Sequence, residues 1–393
     1  MRARARWAAA IAIVGLVAGA LPAGAAGGWS IATAAVPTGA SQVYLDGVSC
    51  TGATSLNCYA VGSYVTSKGT VKTLIEHSTG TAWKIVTSPD RTGAVASALV
   101  SVSCASAVSC FAVGNSQASP TSPALTLIER WNGKSWTIAS SPDAAHATGN
   151  YLEGVSCVSA LRCFAVGDYT SGGTAGSTLI ERWNGTAWTI TPSPNRQGSA
   201  VDQLAGVSCT GAAITSCFAV GQWASTTSGS ALFTLTERFN GSAWVVVASP
   251  NVGGQYRTSL NDVSCTSAKF CLAVGVWQHS PGASVSERWN GTAWTIFNVP
   301  NHAGFTFSQL NSVSCASPTN CMAVGSWTTG GAPGSTLVAH WNGTAWSLVY
   351  SPNPTNSQGS SLAAVSCVAL KCSATGSVVT PSLGATALAE RNF

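Results

Sequence analysis

The chain is constrained most by a stretch that it repeats. Leu179-Ile180-Glu181-Arg182-Trp183-Asn184-Gly185-Thr186-Ala187-Trp188 reads as two β-strands joined at Asn-Gly. Asn-Gly between β-favouring residues is the strongest short hairpin signal, because a type I′ turn needs positive φ at both central residues. With Asn184-Gly185 at the tip, Trp183 is expected opposite Thr186, and Glu181 opposite Trp188. Alternation then puts Leu179, Glu181, Trp183 and Trp188 on one face. Copies of the turn stand at Asn132-Gly133, Asn240-Gly241, Asn290-Gly291 and Asn342-Gly343, with a degenerate Thr79-Gly80 in the first repeat. Successive copies lie about 50 residues apart.

Each repeat carries four segments. The first is Leu-x-x-Val-Ser-Cys, as in Leu152 to Cys157, and the second is Cys-x-Ala-Val-Gly, as in Cys163 to Gly167. Leu-Ile-Glu-Arg-Trp and Ala-Trp-Thr-Ile follow, and a Ser-Pro-Asn or Ser-Pro-Asp stop usually closes the unit, as at Ser193-Pro194-Asn195. Proline cannot donate to a ladder, so it ends the fourth strand. The leading leucine recurs at Leu45, Leu99, Leu152, Leu204, Leu260, Leu310 and Leu362. Four short strands at this period fit a propeller blade. A parallel β-helix would need a shorter repeat, and the 3.6-residue periodicity of helical solenoids is missing.

The two ends complement each other. The last repeat stops at Leu388-Ala389-Glu390-Arg391-Asn392-Phe393, a third strand without a fourth. Gly28-Trp29-Ser30-Ile31-Ala32 matches a fourth strand without a third. The expectation is an all-β, seven-bladed β-propeller with four antiparallel strands per blade. The N-terminal strand would complete the last blade and close the ring.

Arg2, Arg4 and Arg6 precede an apolar run from Trp7 to Leu21 and then small residues, which is the pattern of a secretory signal peptide. Two cleavage motifs compete, Ala23-Gly24-Ala25 and Ala32-Thr33-Ala34. Cleavage near Ala25 is preferred, because cleavage after Ala34 would remove Trp29. The domains are then a signal peptide over 1–25 and the propeller over 26–393. No second apolar run of spanning length follows, so no membrane span is expected after cleavage. Loss of three arginines takes the formal charge from +5 to +2. With so little net charge and no basic runs, nucleic acid is not the expected partner. Only 8% of residues are charged, a composition suited to hydroxyl-rich extracellular surroundings.

Fourteen cysteines form seven close pairs: Cys50 with Cys58, Cys104 with Cys110, Cys157 with Cys163, Cys209 with Cys217, Cys265 with Cys271, Cys315 with Cys321 and Cys367 with Cys372. One pair per repeat, with an export signal, argues for local disulfides. Zinc is the rival, but it wants converging Cys or His clusters, and no histidine keeps step with the pairs. Each small loop would add about 2 kcal/mol.

On Val-Ser-Cys, Cys-x-Ala-Val-Gly and Glu-Arg-Trp-Asn-Gly-Thr-x-Trp, the chain resembles secreted repeat proteins of high-GC, actinobacterial type. Its repeat length is similar to that of kelch and galactose-oxidase-type propellers. The Asn-Gly-x-x-Trp tip is similar to the Asp-box of sialidase-like propellers, except that Asn adjoins Gly instead of standing two residues before it. The resemblance covers everything after the signal and implies architecture. These folds host enzymes and binding modules alike.

In such a fold the disulfide-stapled turn and the Asn-Gly turn share one face. The longer second-to-third and fourth-to-first connections share the other, where function is expected. Five repeats place an aromatic residue two positions after the second-strand glycine: Tyr64, Tyr169, Trp223, Trp277 and Trp327. Such rings can stack on sugars, and the competing explanation is packing between blades. Asp46, Glu153, Asn261 and Asn311 occupy one position near the channel mouth, where Val100, Ala205 and Ala363 stand in the other repeats. They would line the entrance and hold a ligand or cation, or else be solvated turn residues.

The third-strand glutamates Glu76, Glu129, Glu181, Glu237, Glu287 and Glu390 are spread evenly, with Ala339 in the sixth repeat. A catalytic carboxyl pair needs two groups at one site with opposed environments, so a structural role is expected for these. The histidines His77, His146, His279, His302 and His340 make no ligand-spaced pair, so no metal and no cofactor are expected. Arg91, Arg196 and Arg257 stand in variable-face loops and would serve a sialidase-like site. The function expected is a secreted, non-enzymatic binding or scaffold module that recognises carbohydrate or the cell-envelope surface through its variable face. The alternatives are a propeller glycoside hydrolase or lyase using Asp46, Glu153, Asp168 or Asp202, and a purely structural surface protein with protein partners.

Overall fold

The computed structural model describes residues 28–52, 56–80, 82–172, 176–211, 214–225, 231–252, 257–381 and 384–392. The signal segment 1–25 lies outside the described residues, as does its Ala23-Gly24-Ala25 motif. The third repeat shows the unit. Strands Gly149–Ser159, Arg162–Thr170, Gly176–Trp183 and Trp188–Ile190 form an antiparallel sheet in chain order. The same four-strand pattern recurs along the chain. Single parallel bridges such as Gly176↔Val201 join some neighbours into larger sheets. The strand Ser30–Ala32 pairs antiparallel with Gly384–Asn392, through Ser30↔Arg391 and Ala32↔Ala389. This layout fits a β-propeller.

The second strand explains itself by burial. From Cys163 to Asp168 every residue is buried, so its apolar residues run on without alternation, as in a strand covered on both faces. Phe164 and Val166 pack with Leu204, Val207 and Trp244 of the following repeat. Cys163 and Ala165 pack with Phe111 and Val113 of the preceding one. The core is therefore a series of clusters between repeats, and no single repeat encloses its own. The second-strand glycine is forced. A Cβ on Gly167 would run into the Tyr151 carbonyl and lie 3.0 Å from the Leu152 Cα, where a bulge at Leu152/Gly154 presses the first strand inward.

The first strands are tied to each other by the serine of Val-Ser-Cys. Its hydroxyl accepts a hydrogen bond from the cysteine amide of the next repeat. The Cys104, Cys157 and Cys209 amides donate to Ser49, Ser103 and Ser156, each at 3.0 Å. Those of Cys265, Cys315 and Cys367 donate to Ser208, Ser264 and Ser314 at 2.9–3.0 Å. The seventh runs from Cys50 to Ser366 at 3.0 Å and joins the first repeat to the last.

All seven expected disulfides are present. Cys50 is bonded to Cys58, Cys104 to Cys110, Cys157 to Cys163 and Cys209 to Cys217. Cys265 is bonded to Cys271, Cys315 to Cys321 and Cys367 to Cys372. In each pair the two residues stand directly opposite on the first and second strands, as in Cys157↔Cys163. Sulfurs bonded to each other are not zinc ligands, so the rival explanation is set aside. The second-strand partners Cys58, Cys110, Cys163, Cys217, Cys271, Cys321 and Cys372 are all buried. Each belongs to a different apolar cluster, so every bridge is anchored in the packing between repeats.

The Asn-Gly turn differs from the expectation. Trp183 pairs with Trp188, and Glu181 with Ile190. Only the glycine has positive φ, 103° at Gly185. The loop is thus four residues long and not a type I′ turn. The physical reason is the asparagine side chain. Asn184 Oδ1 accepts from the amides of Thr186 and Ala187 at 2.9 and 3.0 Å and from the Thr186 hydroxyl at 2.8 Å. That capping satisfies the turn's donors better than a two-residue hairpin would. The register moves by two residues, so parity is kept and both tryptophans stay on the expected face.

Those tryptophans fill the gap between repeats. Phe111 meets Trp183 and Trp188 of the next repeat at centroid distances of 5.1 and 5.2 Å, and Phe218 meets Trp289 and Trp294 at 4.9 and 5.1 Å. The arginine before the third-strand Trp covers the cluster, as Arg130 does 5.3 Å from the Trp183 ring. Gly167→Ala should destabilise the fold by at least about 3 kcal/mol, since backbone must move to admit the methyl. An unchanged denaturation midpoint in that variant would show that the strands do not approach so closely.

Candidate functional site

The five aromatic residues stand at the loop-bearing ends of their second strands, and all are half-buried. Three already carry ring or cation partners. Trp223 stacks on Phe233 at 4.8 Å and lies 4.5 Å from the Arg196 guanidinium. Trp277 stacks on His279 at 4.9 Å, and Trp327 on His302 at 4.0 Å, where burial lowers the His302 pKa. Tyr64 packs against the apolar cluster between the first and last repeats. Tyr169 forms part of the wall of an open depression of 290 Å³. Thr178, Thr191, Pro192, Ser193 and Asn195 line it as well, with Ala144 and Ala145 from the preceding connection. No charged side chain lines this depression among the described residues.

The four polar residues at the first-strand bulge do not act alike. Asn261 donates to the Leu310 carbonyl at 2.8 Å, and Asn311 to the Leu362 carbonyl at 2.7 Å. Both amides therefore tie one first strand to the next. Asp46 and Glu153 are half-buried at the same bulge. Asp262, which sequence reasoning passed over, accepts from the Ser312 hydroxyl at 2.7 Å and the Val313 amide at 3.0 Å. Its signal was its place beside the bulge, where most repeats carry a small residue.

The third-strand glutamates are buried between repeats. Glu181 accepts from Ser141 of the preceding repeat at 3.0 Å, and Ser88, Ser193, Ser249 and Ser351 serve Glu129, Glu237, Glu287 and Glu390 likewise. Glu76 accepts from the Ala35 amide at 3.0 Å. Burial pushes Glu129, Glu181, Glu237 and Glu287 up to about 8, and Glu76 and Glu390 up to about 7. Ala339 now has a reason. The serine that would face it is Val299, and the two are buried in one apolar cluster. Donor and acceptor are exchanged together, so neither is left unpaired.

The Ser-Pro-Asn stop also does more than end a strand. Asn195 Oδ1 accepts from the Thr178 amide at 2.9 Å and its hydroxyl at 3.1 Å, and Asp90 and Asp143 hold Thr73 and Thr126 in the same way. The sequence signal was the fixed spacing of this Asn or Asp from the third-strand threonine.

The other candidates are dispersed. Arg91 donates to the Thr126 carbonyl at 2.9 Å, and Arg257 opens a first strand. His77 contacts Asn57 and His340 contacts Asn320. Asp168 is buried on a second strand. Asp202, on the next repeat's first strand, is 1% exposed, receives the Ser199 hydroxyl, and is pushed up by burial.

No protein-family model matches this chain, and no curated protein matches it. Solved structures do. YCF48 bound to a D1 peptide is similar with a TM-score of 0.52 at 12% identity, over 95% of this chain and 99% of that one. An ulvan lyase of polysaccharide lyase family PL25, bound to GlcA(1-4)Rha3S, is similar with a TM-score of 0.53 at 9% identity, over 84% of this chain and 89% of that one. At such identities the likeness establishes the β-propeller fold. One neighbour is an enzyme and the other holds a peptide, so the fold selects no chemistry.

Two outcomes follow from the buried glutamates. Their pKa values are raised in the folded state, so their contribution to stability is full below about pH 4.5 and is lost as pH rises through about 8. The melting temperature should therefore fall across that window, and Glu181→Gln should flatten the slope. A slope unchanged by Glu181→Gln would mean that this carboxyl does not titrate with folding. Separately, Ala339→Glu should destabilise by about 2 kcal/mol or more, and adding Val299→Ser should restore much of that loss. A double-mutant cycle in denaturant measures it, and strict additivity would contradict the pairing.

Proposed function

We propose that the protein is an exported, seven-bladed β-propeller that binds carbohydrate through the face bearing its longer loops. The Cys50–Ser366 hydrogen bond and the pairing of Ser30–Ala32 with Gly384–Asn392 support seven blades closed into a ring. Export is supported by the apolar leader and by seven disulfides, which persist in oxidising compartments. The fold uses Trp29, which is 4% exposed, and the Ala35 amide, and this supports cleavage near Ala25 over cleavage after Ala34.

The carbohydrate reading rests on the depression beside Tyr169. A sugar offers apolar ring faces and a surround of hydroxyls. Tyr169 offers a flat apolar surface, and Thr191 and the exposed amide nitrogen of Asn195, whose Oδ1 is held by Thr178, offer polar contacts without charge. That chemistry suits a neutral polysaccharide of an envelope or matrix. Tyr64, Trp223, Trp277 and Trp327 extend the same face.

Calorimetry of the mature protein against neutral polysaccharides tests this reading. Saturable binding is expected to one glycan class, weakened about tenfold or more by Tyr169→Ala, with the melting temperature held within about 2 °C. Binding that ignores Tyr169→Ala would remove the depression from the proposal. Release of new chain ends by the wild type, lost in Asp202→Asn, would replace binding with a hydrolase or lyase function.

A further inference from the structure

The nearly neutral formal charge hides a segregation of the acids, for Lys72, Arg91, Arg196 and Arg257 stand with aspartates at the loop-bearing end, while the cations of the other end stand without them. The two turn types of each repeat meet at one end of the unit. A Cβ on Gly133 would lie 3.1 Å from Val108, and one on Gly185 would lie 3.3 Å from Leu161. The Trp131 and Trp183 indoles donate to the Ala107 and Ala160 carbonyls of the same turns. The third strands deliver Arg130, Arg182, Arg238 and Arg288 to this end, and Lys134 and Lys269 stand exposed on its turns. The guanidiniums are held over aromatic rings at 4.8–5.8 Å.

Among the described residues no Asp or Glu side chain shares this end. Six glutamates are buried between repeats. Asp90, Asp143, Asp168 and Asp202 sit toward the opposite, loop-bearing end, and Asp46, Glu153 and Asp262 lie in mid-strand. A one-signed face of this kind attracts anions.

Apolar side chains project from the same turns. Val108 is 61% exposed, Leu161 59% and Leu370 78%. All three stand in the short turn between the disulfide-linked strands. A soluble polyanion has no use for them. A lipid interface accepts both cations at phosphate level and apolar tips just below it.

We propose that the disulfide-bearing face docks on an anionic phospholipid surface. Arg130, Arg182, Arg238, Arg288, Lys134 and Lys269 meet the phosphates, and Val108, Leu161 and Leu370 enter the headgroup layer. The loop-bearing face is then directed away from the membrane. This assignment is independent of what that face binds.

Co-sedimentation of the mature protein with vesicles tests it. The protein should pellet with vesicles of equal parts phosphatidylglycerol and phosphatidylcholine and not with phosphatidylcholine alone. Lys134→Glu with Lys269→Glu should lower partitioning about tenfold, and raised salt should do the same. Leu161→Ser with Leu370→Ser should lower vesicle binding several-fold while leaving retention on dextran sulfate unchanged. Circular dichroism melts of each variant confirm folding. Equal binding to both vesicle types overturns the proposal. Vesicle binding untouched by the leucine substitutions overturns it in favour of a soluble polyanion.

Discussion

Everything in this structure depends on one contact, the hydrogen bond from a cysteine amide to the serine hydroxyl of the preceding repeat. It holds the first strands of successive repeats side by side. The serine serves one neighbour, and the adjacent cysteine is bonded to its own second strand. Each Val-Ser-Cys thus joins an interaction within a repeat to one between repeats. The close approach explains the small residues beside the bulge. A Cβ on Gly47 would lie 2.9 Å from the Ser101 Cα. It also explains why each repeat needs its neighbours, because the apolar clusters form only across these contacts.

On the third strands the same logic takes a polar form. Each buried glutamate of the later repeats reaches one serine of the repeat before it, and five stop residues, Asp90, Asp143, Asn195, Asn251 and Asn353, hold the threonine at the start of their own third strand, while Asn301 accepts from Ser308 instead. A buried polar group is costly when unpaired and nearly neutral when both partners are removed. The Val299/Ala339 pair obeys that rule within a single chain. It identifies the glutamates as structural groups, despite carboxyl pKa values of the kind often seen at catalytic centres.

The two faces are divided by the same topology. One end has short turns clamped by disulfides and asparagine caps, and among the described residues its cations stand without carboxylates. The other has connections of differing length, and the Tyr169 depression lies there. A rigid scaffold with unlike ends can present a ligand site on one side while the other rests on a surface.

Much of the fold was legible in the sequence because its determinants are local or strictly periodic. The repeat spacing indicated the four-strand unit. Cysteines five to eight residues apart on adjacent strands, such as Cys367 and Cys372 or Cys50 and Cys58, could hardly pair otherwise. The match of Trp29-Ser30-Ile31-Ala32 to a missing fourth strand anticipated its pairing with Gly384–Asn392. Where sequence reasoning erred or stopped short, the deciding partner lay elsewhere or the decision was atomic. The Asn184 side chain, and not φ preference, set the turn. Sequence offered Asn261 and Asn311 as candidate ligand residues, and only the placed repeats show their amides donating to the Leu310 and Leu362 carbonyls. Trp223, Trp277 and Trp327 gained stacking partners that no spacing announces. Residue type and period determine which strands form and pair, since those choices are made within a few residues. Which hydroxyl meets Glu181, and which end of the molecule collects the charge, was decided only when the repeats were placed against one another, because those contacts join residues about forty or more positions apart.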